Sequence, residues 1–151
     1  MKRYLFSFFA AILFFAAVNT FAAEIDYTVE TNKTVDQAAD DVKKIAKEHG
    51  FGTLTVHDFT KTLKEKGFDL EEKVMVLEVC KPDKAYDVLT EDIRINMALP
   101  CRISVFEENG KVKIGTLRPT MLLSILSDSE KLKSTAKEVE DTMIKIINAA
   151  K

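Results

Sequence analysis

The sequence predicts an α+β fold: a two-layer sandwich in which a mostly antiparallel five-stranded sheet is covered by helices on one face. Three observations carry that expectation. Asn109-Gly110 sits between two alternating runs, Cys101 to Glu108 and Lys111 to Arg118, which is the strongest short hairpin signal. Val74 to Cys80 is apolar on both faces apart from Glu78, the composition of a central strand. Two long segments carry one apolar stripe each at helical spacing, and such stripes need a sheet to cover.

Each element follows from local chemistry. Glu24 to Thr31 alternates, with Ile25, Tyr27 and Val29 against Asp26, Thr28 and Glu30, as a half-buried strand does. Thr34 with Gln37 three residues later forms a capping box, opening a helix striped by Val35, Ala38, Ala39, Val42, Ile45 and Ala46. Gly50 ends it, and Phe51 is placed for the apolar contact of a glycine-terminated helix. Phe51 to Phe59 is the second strand, and Thr60 to Lys66 is one or two helical turns stopped by Gly67.

After the strand Val74 to Cys80, Pro82 suits the first turn of a helix, where its missing amide costs nothing. Ala85, Tyr86, Leu89 and Ile93 form that helix's expected buried side. The two-residue hairpin turn sets the register: Glu108 faces Lys111, Val105 faces Ile114, and Cys101 lies opposite Arg118. Ile103, Val105, Val112 and Ile114 then share one face, and Cys101 points the same way. Pro119 ends the strand, and Met121 to Leu126 is a short apolar helical turn. The last helix, capped by Ser127 with Glu130 or by Ser129, buries Leu132, Ala136, Val139, Met143, Ile146 and Ala150. Its other face, with Lys133, Lys137, Glu138, Glu140, Asp141 and Lys145, reads as solvated.

The length of 151 residues favours one domain with one core, spanning residues 23–151. Residues 1–22 stand apart. Lys2 and Arg3 precede an apolar run from Leu5 to Val18 broken only by Ser7, and Thr20 and Ala22 supply the small residues of a cleavage site. This is a secretory signal peptide pattern, cleaved after Ala22, with a periplasmic or secreted product that keeps no membrane span. The other reading is an uncleaved anchor, since Leu5 to Ala23 is barely long enough to span about 30 Å of hydrocarbon. Removing Lys2 and Arg3 from 22 basic residues leaves 20 against 24 acidic, a net charge of −4. With no basic run, nucleic acid is not an expected partner; an unknown small ligand or protein is.

Glu78-Val79-Cys80-Lys81-Pro82, then Ala85 and Leu89, then Leu99-Pro100-Cys101-Arg102 and Val105, together with Gly50-Phe51-Gly52, carry a resemblance. On these residues the chain resembles the domain of unknown function 302 family over roughly Val29 to Leu126. Lys81 departs from it, standing where asparagine is usual. The resemblance implies a two-layer α+β domain, often a homodimer, and implies no activity.

Cys80 and Cys101, the only cysteines, are the candidate functional residues. If their strands are antiparallel neighbours, both lie at one edge of the sheet. A disulfide there would close a loop of about 22 residues, contributing about 3 kcal/mol on the chain-entropy estimate. The other readings are two separate buried thiols, or redox or metal chemistry. Arg118 and Arg102 would favour a thiolate, whereas Glu78 would oppose one and could accept a proton or act as a ligand. There is no Cys-x-x-Cys motif. His49 falls at a helix C-terminus, where the dipole favours a cation. His57, Met121 and the cysteines are ligand types for haem or a metal, although the sequence does not cluster them, and the cofactor is unknown. No phosphate loop, His-Glu-x-x-His or Gly-x-Ser-x-Gly occurs, so an enzyme is the less expected reading. An exported binding or interaction module comes first, a thiol-redox or sulfur-handling protein second, and a haem- or metal-binding protein third.

Overall fold

The computed structural model describes residues 24–151; the proposed signal peptide and its cleavage site lie outside them. Five strands, β1 (Asp26–Thr31), β2 (Gly52–Asp58), β3 (Val74–Cys80), β4 (Cys101–Glu108) and β5 (Lys111–Leu117), form one sheet in the order β1-β5-β4-β3-β2. Every neighbouring pair is antiparallel. The helices are α1 (Val35–Glu48), α2 (Phe59–Glu65), α3 (Pro82–Glu91), α4 (Pro119–Leu126) and α5 (Glu130–Ala150), with a 3₁₀ segment at Ile93–Ala98. The α+β expectation holds, and β3 lies between β4 and β2 as its doubly apolar sequence requires.

Local rules account for most boundaries. The Thr34 hydroxyl accepts from the Gln37 amide while Gln37 accepts from the Thr34 amide, closing the capping box. At the other end of α1, Gly50 adopts φ +80°. Its amide donates to the Lys47 carbonyl, and the Phe51 amide donates to the Ala46 carbonyl at 2.9 Å, the paired bonds of a Schellman motif. Phe51 is then driven into the core. Asn109 and Gly110 both have positive φ, and the hairpin pairs Glu108 with Lys111 and Val105 with Ile114.

The main core lies between one face of the sheet and helices α1 and α5. Leu77, Val79, Ile103, Val105 and Ile114 meet Val42 and Ala46 of α1 and Met143 and Ile146 of α5. A second cluster, Val88, Ile95, Leu123, Leu132 and Ala136, joins α3, the 3₁₀ segment, α4 and the start of α5. It caps the end of the sheet where β3 finishes and β4 begins.

Two sequence expectations are corrected. Tyr86 and Ile93, placed on the buried side of α3, are each 69% exposed, and Val88 is buried in their stead. The helix stops at Glu91 because the Asp92 side chain caps a new 3₁₀ segment, which turns the chain so that Ile95 enters the core and Ile93 faces out. Glu140, placed on the solvated face of α5, is only 7% exposed. Its carboxylate is taken up by Arg118 and Thr120, which the β5–α4 junction brings against the helix.

Candidate functional site

The site is built at the sheet end where β3 stops and β4 starts. Pro82 at the first turn of α3 carries the chain away from Cys80, and a cis Leu99–Pro100 bond returns it to Cys101. Between those points α3 and the 3₁₀ segment fold over the sheet end, and α4 and α5 close the far side. They leave a cavity of about 470 Å³ with a mainly apolar wall. Val79, Cys80 and Cys101 border it from the sheet, Ala85 and Val88 from α3, and Leu122 from α4. Met97, Leu117 and Ile125 also line it, and all three are exposed large apolar side chains. An apolar wall with an apolar rim is suited to a ligand with an apolar body.

The charged residues of the lining have one sign. Among the described residues, Lys81, Lys84 and Arg102 border the cavity and no carboxylate does. They are not equivalent. The Lys84 ammonium is 2.6 Å from Glu138. The Lys81 ammonium stands 4.0 Å from Asp83, and the Arg102 Nε stands 3.9 Å from Glu78, beyond hydrogen-bond length.

Cys80 and Cys101 are brought to one cavity, and both are free thiols. The disulfide expectation is corrected by the register. Cys101 lies opposite Val79, not opposite Cys80, so it shares the Val79 face and packs on the main core. Cys80 is one residue further along β3 and leaves the pleat on the opposite face.

Neither thiol is drawn toward the thiolate form. Burial, with a smaller push from neighbouring Cys80, raises the Cys101 thiol to about 11. Burial followed by the Asp83 carboxylate raises the Cys80 thiol. Arg118, expected opposite Cys101, is engaged elsewhere: β5 ends at Leu117, the Arg118 amide donates to the Ile25 carbonyl, and its guanidinium binds Glu140 at 2.9 Å. Both thiols are therefore neutral and weakly nucleophilic near neutral pH. Iodoacetamide at about pH 7.5 should modify Cys101 about two orders of magnitude more slowly than an unperturbed cysteine, with the rate climbing as pH rises. Mass-resolved alkylation kinetics check this, and labelling at the rate of a free thiol would contradict it.

The remaining sequence candidates do not join the cavity. His57 Nε2 lies 3.2 Å from a Glu78 carboxylate oxygen, and its ring lies against Phe59. Neither His57, Glu78 nor Met121 lines the cavity, which separates the haem and metal ligand types that the sequence offered. His49 is the C-terminal cap of α1. Among the described residues, no three His, Cys, Asp or Glu side chains gather as a metal site. The cavity itself was not legible in the sequence, because its walls come from segments far apart in the chain. Its one local signal was the bracketing of α3 by two Cys-containing strand ends.

Comparison with known proteins adds three findings. The family model described as "Domain of unknown function DUF302" matches residues 27–150. The crystal structure of an uncharacterized conserved DUF302 protein from Bacillus stearothermophilus is similar, with a TM-score of 0.81 and 32% identity over 85% of this chain and 100% of that one. No curated protein matches the chain.

Proposed function

The chain belongs to the DUF302 family, and on that premise we propose that it is an exported, non-catalytic binding module whose ligand site is the cavity at the β3–β4 end of the sheet. The carrying observation is the cavity itself. At about 470 Å³ it falls within the roughly 300–1,000 Å³ of small-molecule pockets, and its wall is mainly apolar with few charged groups. Export is supported by Lys2, Arg3 and the apolar run from Leu5 to Val18. A second reading, thiol redox or sulfur handling by Cys80 and Cys101, draws on their bordering one cavity. Against it stands the upward shift of both thiols.

The test is titration of purified protein with N-phenyl-1-naphthylamine, a neutral apolar fluorophore that brightens out of water. Saturable brightening with one site per chain is expected. Emission that stays at its buffer value across the titration overturns the proposal.

A further inference from the structure

We infer that the ligand is a single-chain amphiphilic carboxylate, its hydrocarbon tail inside the cavity and its head group held at the mouth by Lys81 and Arg102. This deepens the reading of the cavity as the ligand site and rests on it.

The chain has 22 basic and 24 acidic residues, so a lining drawn evenly from its surface would carry both signs. Among the described residues, this lining carries Lys81, Lys84 and Arg102 and no Asp or Glu. A cavity of one sign with low-dielectric walls concentrates ligands of the opposite sign.

The three cations are not equally free to act. Lys84 is committed to Glu138 at 2.6 Å. Lys81 and Arg102 stand at 4.0 and 3.9 Å from Asp83 and Glu78, and among the described residues neither side chain makes a hydrogen bond. The Arg102 side chain is 63% exposed, so its planar fork can turn toward an incoming carboxylate and donate two parallel bonds.

An anion without an apolar body would gain nothing from a mainly apolar wall, and a neutral hydrocarbon would leave the cations unused. Met97, Leu117 and Ile125 extend the apolar surface from the interior to the exposed rim. An apolar chain ending in one anionic group matches both features. Cys80 and Cys101, as neutral thiols, add polarizable apolar wall and no competing charge.

The experiment is displacement of bound N-phenyl-1-naphthylamine by dodecanoate and by dodecanol, on the wild-type protein and on the double variant Lys81→Gln/Arg102→Gln. Dodecanoate should displace the dye at a concentration at least tenfold lower than dodecanol. In the double variant the ratio of dodecanol to dodecanoate needed for displacement should fall toward one, read against that variant's own dye affinity. Equal displacement by acid and alcohol on a wild-type protein that does bind the dye overturns this inference and leaves the cavity reading standing. So does a double variant that keeps the preference. Failure of the wild type to bind the dye at all removes the cavity reading and this inference with it. The acid–alcohol comparison needs no substitution, so it decides the matter even if the variant fails to fold.

Discussion

Glu140→Ala is expected to lower the unfolding free energy by about 3 kcal/mol, the size typical of a buried pair with one partner removed. Glu140 is 7% exposed, and its carboxylate accepts from the Arg118 Nη1 at 2.9 Å, from the Thr120 amide at 3.1 Å and from the Thr120 hydroxyl. Arg118 also donates to the Asp26 carbonyl and lies over the Tyr27 ring at 5.5 Å. One carboxylate therefore ties β1, the β5–α4 junction and α5 together. Removing it strands a half-buried guanidinium and an amide, which costs more than the net worth of the bonds lost.

The pH dependence has a definite sign. Burial would raise the Glu140 carboxyl, but the bonds from Thr120 and Arg118 outweigh it and hold the group below its ordinary value. A carboxyl lowered on folding contributes stability above its unfolded value and loses it as pH falls through the folded one. The gap between wild type and Glu140→Gln should be full above about pH 4.5 and close on further acidification. Urea denaturation across pH measures it. A gap that widens in acid would show that the ionised carboxylate is not the stabilising form.

The largest effect on binding is expected from Ala85→Trp. Ala85 is a half-buried residue of α3 on the cavity wall, where an indole is large enough to reach into the cavity. Filling that volume should weaken N-phenyl-1-naphthylamine binding by about tenfold or more, while the wall, not the main core, takes the new side chain. The protein has no tryptophan, so the introduced indole is its own reporter. Blue-shifted emission with the dye absent would place the ring inside. A folded variant with a buried indole and wild-type dye affinity would locate the dye elsewhere.

How far the sequence reached is clearest residue by residue. Thr34 and Gln37 closed their box, Gly50 and Phe51 made their helix stop, and Asn109-Gly110 set a register that holds through Ser104 and Gly115. The family resemblance rested on the residues around Cys80 and Cys101, and the family match spans them. The same spacing could not say that Cys101 faces Val79, because the register between β3 and β4 is set across a connection of twenty residues and not by a tight turn. Nor did it place Glu140, which follows buried Ala136 by four residues and precedes buried Met143 by three on α5, while its polar partners lie some twenty residues upstream.

What the sequence by itself determined is everything governed by bonds and periodicities a few residues long: the caps, the turns, the apolar stripes, and so the α+β class. Tertiary structure alone decided the cavity, the sign of its charged lining, the separation of the two thiols and the burial of Glu140. Those depend on which distant surfaces meet, and the meeting is selected by the burial of whole faces rather than by any local pattern. A helical stripe reports that a face is buried; only the packed chain reports what that face leaves open beside it.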